Sequence, residues 1–187
     1  PKSGNRNDVI MTYAITDENK NYVVELNGAD YINFQKIDFR VKTESDYGVI
    51  IDFKAGASNN GITFCDLAGL QVVSQAGTYA LINSDYAESN DNNNIISNNT
   101  FSYGSIGVNF SGISSVSLEV GNVISNNVFS DQHFAAIYMF LQDSCTVKAD
   151  SISIASSHIN PYGFYLAYTK EEVVFNNKIK IQSTALT

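Results

Sequence analysis

The chain has no tryptophan, two prolines, two cysteines, two histidines and two arginines among 187 residues. Each scarcity excludes something. Two cysteines are too few for the disulfide framework of a small secreted domain, which uses four or more. Two arginines, Arg6 and Arg40, and a net charge of −8 argue against a nucleic-acid partner, because phosphates call for stripes of Lys and Arg. The longest apolar run, FAAIYMFL at 134–141, is far too short to cross a bilayer, so no membrane insertion is expected. Charged residues at 16% are too sparse for a long helical protein, and hydrophobic residues at 44% are too many for disorder. No signal peptide is visible and the chain starts at Pro1, which reads as a mature or excised segment of a longer protein.

What the chain does have is asparagine and serine, residues that suit turns between short strands. It also has a period. NNNIISNNTF (92–101) and GNVISNNVF (121–129) both contain Ile-Ser-Asn-Asn, with Ile96 and Ile124 28 positions apart and a phenylalanine five residues after each. A template of Ile or Val, two residues, a small polar residue, one residue, then Ile, Leu or Phe fits INFQKI (32–37), ITFCDL (62–67), ISNNTF (96–101), ISNNVF (124–129), VKADSI (147–152) and VFNNKI (174–179). A second apolar stretch with period-two alternation follows each of the first five: GVIIDF, YALIN, GVNF, AIYMF and GFYLAY. VIMTYAI (9–15) and YVVEL (22–26) look like an earlier turn of the pattern.

Repeats of this length, holding short strands and no helical stretch, predict stacked coils that share one continuous core. The fold expected is all-β: a single-stranded parallel β-helix, or solenoid, of about six to seven coils, with residues 1–187 forming one domain. Two inward columns are expected: Val49, Ala80, Val108, Ile137 and Phe164, then Ile51, Ile82, Phe110, Met139 and Leu166. The fourth template position, Gln35, Cys65, Asn99, Asn127, Asp150 and Asn177, reads as a structural ladder of stacked polar side chains at a bend between strands. Cys65 and Cys145 fall about three coils apart, roughly 14 Å at strand spacing, too far for a disulfide.

The segments ISNNTF…GVNF and ISNNVF…AIYMF resemble the right-handed parallel β-helix repeat of the pectin-lyase-like superfamily, which implies a single-stranded right-handed parallel β-helix. NRNDVIMTYA, NYVVELNGADYINF, DNNNIISNNTF and GNVISNNVF are similar to β-helix segments of very large bacterial surface proteins exported by the type IX secretion route. The resemblance spans nearly the whole chain. It implies a secreted or cell-surface location and a protein that is an adhesin, a spacer, a lyase or a hydrolase.

The lyases and hydrolases of that superfamily need carboxylates in neighbouring outward columns, either to flank one glycosidic bond or to share a cation. The outward columns read from the template, Ile50–Leu81–Asn109–Tyr138–Tyr165 and Asp52–Asn83–Ser111–Phe140–Ala167, hold no two acids. Another outward column brings Lys36 beside Asp66, a surface pair. Asp131 with His133, His158, and Arg40 with Lys42 are further catalytic candidates, each more simply read as surface or turn residues. Asp85, Glu88 and Asp91, in the longest interval between coils, form a weak calcium candidate and otherwise a solvated loop. No other cofactor is implied. The aromatic residues are the best lead: Tyr138 and Tyr165 should point outward from adjacent coils, with Phe140, Tyr162 and Tyr168 nearby, suiting contact with a sugar ring or a protein. The expected function is therefore a non-catalytic secreted or cell-surface module, acting as spacer, adhesin or glycan-binding surface. The alternative is a fragment of a polysaccharide lyase or glycoside hydrolase. Expected partners are a polysaccharide or cell-surface glycan, neighbouring domains of a larger protein, and other copies stacked end to end through open strand edges.

Overall fold

A computed structural model describes residues 2–84 and 89–183. Short strands separated by bends wind into a parallel β-solenoid of about six turns, and helix among the described residues is limited to three short 3-10 turns. Three sheets run along its axis. The first has seven strands, from Ile10–Tyr13 to Lys178–Ser183; the second has six, from Val24–Asn27 to Tyr162–Ala167; the third has six strands of three residues, from Asn33–Gln35 to Val173–Phe175. All pairings between consecutive turns in these sheets are parallel. No helix among the described residues is long and apolar enough to cross a membrane.

The Asn-Asn doublets now have a physical reason. Each turn bends sharply on both sides of the third sheet. After it, one residue per turn adopts a left-handed backbone: Lys36, Phe64, Asn98, Asn126, Ala149 and Asn176, with φ of 56 to 57°. Asn tolerates this conformation better than most side chains. The next residue points inward as the ladder residue. Asn99, Asn127 and Asn177 accept, through their side-chain oxygens, the backbone N–H of Cys65, Asn99 and Asp150 in the preceding turn, at 2.8 to 2.9 Å. Their amide nitrogens donate to the carbonyls of Ile62, Ile96 and Val147. Asp150 stands in the same column and accepts from the backbone N–H of Asn127 at 2.7 Å.

Between the bends the inward columns are apolar. Phe39, Leu67, Phe101, Phe129 and Ile152 line the first sheet, with the rings of Phe101 and Phe129 stacked at 4.6 Å. Phe34, Ile62, Ile96, Ile124 and Val147 line the third. A buried Phe, Leu or Ile contributes roughly 1.5–3 kcal/mol, so these columns are the main source of cohesion. The files open at the last turn: Val174 is 42% and Ile179 45% exposed.

The early turns depart from the expected register by two residues. Phe34, not Ile32, pairs with Ile62, so the ladder position of that turn is Ile37 and Gln35 lies outside the column. In the second sheet Ile51 and Ile82 stack with Val108, while Phe53 and Ser84 stack with Phe110. The second of those columns is thus interrupted by a serine. Ile50 and Leu81, expected outside, are fully buried in the main core. Ala80, Ile106 and Ala135 instead form a small separate cluster beneath Phe134, Tyr138 and Tyr162. Consecutive residues therefore turn inward where the chain corners into this sheet. Gly107 marks the corner, since a Cβ there would lie 2.5 Å from the carbonyl oxygen of Ala136.

Both cysteines are buried and free. Cys65 occupies the ladder just described. Cys145 occupies a second ladder that the sequence reading missed, at the bend before the third sheet. There the left-handed column is Tyr31, Asn59, Asn93, Gly121, Ser144 and Glu171, and Asn60, Asn94 and Asn122 follow it inward. Ile32, Asn60 and Asn94 donate their backbone N–H groups to the side-chain oxygens of Asn60, Asn94 and Asn122 at 2.8 to 2.9 Å. The signal was available: an asparagine stands two positions before the repeated isoleucine in NGIT, NIIS and NVIS.

Candidate functional site

The corrected register rebuilds the outward face of the second sheet. Its central file reads Glu25, Asp52, Asn83, Asn109, Tyr138 and Tyr165, one residue per turn. Two acids do stand on adjacent turns, contrary to the sequence expectation. Lys54, two residues after Asp52 on the same strand, bridges them: its ammonium lies 2.9 Å from Asp52 Oδ2 and 3.2 Å from Glu25 Oε1. Asn83 donates to Asp52 Oδ1 at 2.9 Å, and Asn109 donates to Asn83 at 2.8 Å. A connected polar run therefore crosses four turns.

Burial raises the pKa of Asp52, while its bonds from Asn83 and Lys54 oppose the rise. Burial alone would lower Lys54, but its ion pairs with Asp52 and Glu25 overcome this and raise it. Two acceptor oxygens touching one ammonium cannot stand far apart.

The aromatic end continues the same file. Tyr138 and Tyr165 stack on each other with ring centroids 4.5 Å apart and planes within 1°. Tyr162 meets Tyr165 edge-on at 5.4 Å, and Phe134 meets Tyr162 edge-on at 5.4 Å. Each stacked tyrosine has therefore given one face to its neighbour. Phe140 and Tyr168 form a separate edge-to-face pair at 5.2 Å. Of the five aromatic candidates, the structure gathers Tyr138, Tyr162 and Tyr165 into one cluster and leaves Phe140 and Tyr168 as a pair of their own. Phe134 was missed because it immediately precedes the strand, where period-two reasoning does not reach.

From Asp52 to Tyr165 the file forms the floor of a groove of about 530 Å³. Gln75, Gly77 and Thr78 wall one side, Lys54 and Ser111 the other, and Glu18 stands at the acidic end. Asn21 fixes the wall by donating to the Thr78 carbonyl at 2.9 Å while accepting from the Val49 N–H at 3.3 Å.

The other catalytic candidates do not assemble. Lys36 does not pair with Asp66, because the register places Asp38 beside Asp66; Asp66 instead meets Arg6 at 2.9 Å. Arg40 is ion-paired with Asp38, and Lys42 meets Glu44 at 3.8 Å. His133 is not a solvated turn residue: it is 9% exposed and packs edge-on against His158 at 5.6 Å. Asp131 shares no hydrogen bond with it among the described residues. His158 is itself engaged, accepting the Asn160 N–H at Nδ1, 3.0 Å away, with the Gln75 side-chain amide 2.6 Å from Nε2.

Of the calcium candidates, Asp85 and Glu88 lie outside the described residues. Asp91 is no solvated loop residue but is fully buried beside Glu119. The Ser84 hydroxyl lies 2.8 Å from Asp91 Oδ2 and 3.0 Å from Glu119 Oε1. One hydroxyl carries one proton and donates fully to only one of them at a time, so the pair is easiest to satisfy when one carboxyl is protonated. Gln142 donates to Glu119 at 2.6 Å. Burial raises both acids. No cluster of three or more metal-ligating side chains occurs among the described residues.

Fold and groove together define a class: a parallel β-solenoid carrying an external groove of carboxamides, a salt-bridged acid pair and a tyrosine stack. No protein-family model matches the chain, and neither a curated protein nor a solved structure shows significant similarity to it.

Proposed function

We propose that this chain is a non-catalytic β-helix module of a secreted or cell-surface protein, whose second-sheet groove binds a polysaccharide or cell-surface glycan. The observation that carries this reading is the unbroken outward file from Asp52 to Tyr165. It sets amides and tyrosines in a line along the solenoid axis, at about 4.8 Å per turn. Amides offer a donor and an acceptor to each sugar hydroxyl, and aromatic rings supply apolar contact. The likeness of the repeats to the pectin-lyase-like superfamily and to type IX-exported surface proteins supports the same reading. A spacer or adhesin role, with neighbouring domains of a larger protein as partners, is compatible with it.

The test is a glycan-array screen with the Tyr138→Ala/Tyr165→Ala double variant as control. Wild type should retain glycans that the folded variant loses by about tenfold or more. Equal retention by both removes the groove from consideration.

A second reading, a fragment of a polysaccharide lyase or glycoside hydrolase, draws on Glu25 and Asp52 standing on adjacent turns. Lys54 weighs against it by engaging both acids. Release of reducing ends or unsaturated uronates by the isolated chain would decide for the enzyme. The strand edges of a solenoid also suit end-to-end stacking of copies. A strict monomer in light scattering at high concentration would count against that.

A further inference from the structure

We infer that the groove selects an uncharged polysaccharide, lying along the solenoid axis, over polyuronates and sulfated glycans. This deepens the glycan-binding reading and rests on it.

Charge is the first argument. Among the described residues that line the groove, Lys54 is the only cation, and Glu18 and Asp52 are the acids. Lys54 is already shared between Asp52 at 2.9 Å and Glu25 at 3.2 Å. Two of its three N–H donors face these acids. A ligand carboxylate or sulfate taking the third would sit beside two carboxylates that already share this one positive charge. The protein as a whole, at −8, repels an anionic polymer before contact.

Hydrogen-bond chemistry is the second. Asn83 and Asn109 spend one amide donor each on the run toward Asp52. Each carboxamide has a second N–H, and the Asn109 oxygen also lies at the groove floor. These groups pair with hydroxyls, which both donate and accept. Ser111 adds another such group on the wall.

Spacing is the third. Floor side chains recur once per turn, at about 4.8 Å, close to the length of one pyranose residue in an extended chain. Successive sugars therefore meet Asp52, Asn83 and Asn109 in turn, and the chain ends against the Tyr138 ring.

Isothermal titration of the intact protein with soluble oligosaccharides at low and high salt tests this. The panel holds neutral glucan, xylan and mannan oligomers, oligogalacturonate, a sulfated oligosaccharide and a deacetylated chitosan oligomer. The expected result is binding of a neutral oligomer with little salt dependence, weakened on the order of tenfold by Asn109→Ala. Ser111→Trp, which blocks the groove without removing a bond of the floor run, should abolish binding and serves if Asn109→Ala fails to fold. Asn109→Lys, adding an unpaired cation to the floor, should gain affinity for oligogalacturonate.

Tighter binding of oligogalacturonate, the sulfated ligand or the chitosan oligomer by wild type, with strong salt dependence, overturns the inference and leaves the groove a glycan site. Binding of no panel member removes the glycan-binding reading itself, and this inference with it.

Discussion

The bends on either side of the third sheet are built alike, yet they depend on the solvent differently. At both, a left-handed residue is followed by an inward polar side chain that ties its turn to the one before. After the sheet the ladder amides are Asn99, Asn127 and Asn177, in a column with Ile37, Cys65 and Asp150, and behind it lie Phe101 and Phe129. Before the sheet the ladder of Asn60, Asn94 and Asn122 backs onto Ser84, Asp91, Glu119 and Gln142, a buried polar pocket. The contrast teaches that an amide inside a solenoid is satisfied by geometry alone, whereas burial raises the pKa of a carboxyl in the same surroundings and ties it to pH. Asp150 is the one place where the first ladder takes on the character of the second region.

Asparagine-to-alanine changes measure how alike the two ladders are. Asn127 accepts one backbone N–H and donates to the Ile96 carbonyl and to Asp150. Asn127→Ala should cost about 2–4 kcal/mol, because buried partners are left unpaired as well as bonds lost. Asn94→Ala should cost a similar amount in urea unfolding. A difference above about 1 kcal/mol breaks the equivalence of the bends.

Acidity separates the regions next. Burial pushes Asp150 from 3.8 up to about 6, against the bonds it accepts from Asn127. The folded chain holds this proton more tightly than the unfolded chain does. Its contribution to stability, on the order of 3 kcal/mol for two pH units, is complete below about pH 4. It is lost as pH rises through about 6. Asp91 and Glu119 act in the same direction. Unfolding midpoints should therefore fall from pH 4 to pH 8. Asp150→Asn supplies an amide placed to reach the Ile124 carbonyl, as its ladder neighbours reach theirs. It should stabilise the protein by about 1–3 kcal/mol at pH 8 and flatten part of the slope. Glu119→Gln should remove much of what remains. A slope unchanged in Asp150→Asn would mean that the first ladder is not proton-linked.

The cysteines give the smallest effects. Each interrupts one ladder, Cys65 the first and Cys145 the second. Cys65→Asn replaces the weakly accepting sulfur that faces the Ile37 N–H with an amide oxygen and should stabilise by about 1 kcal/mol. Burial, with Glu172 adding to it, pushes the Cys145 thiol up to about 12. A thiol reagent should label it only as fast as the chain unfolds. Rapid labelling in native buffer would show that this bend opens locally.

Much of this architecture was legible in the residues. Ile96, Ile124, Phe101 and Phe129 announce the period, and Asn99, Asn127, Asp150 and Asn177 announce the first ladder. The groove was less visible. Tyr138 and Tyr165 were placed correctly outward on adjacent turns, but Asp52 and Asn83 were put in a neighbouring file, and Glu25 in none. The cause is the symmetry of a strand. Side chains alternate every two residues, so a two-residue slip leaves every inward position inward and disturbs nothing in the hydrophobic pattern. Ile51 for Val49, or Phe34 for Ile32, looks equally good until the neighbouring turn is present. Corners break the alternation as well, which is why Ile50 and Leu81 are buried.

Period and residue type by themselves determined that this chain stacks parallel turns around columns of Ile, Val and Phe, because a turn that cannot cover its own apolar face must borrow cover from an identical one. Only the tertiary structure decided which residues share a turn's edge. It thereby joined Glu25, Lys54, Asp52, Asn83 and Asn109 into one run and enclosed Asp91 with Glu119. Those meetings depend on how many residues each bend absorbs, a length that backbone hydrogen bonding between turns settles and a one-dimensional pattern leaves free.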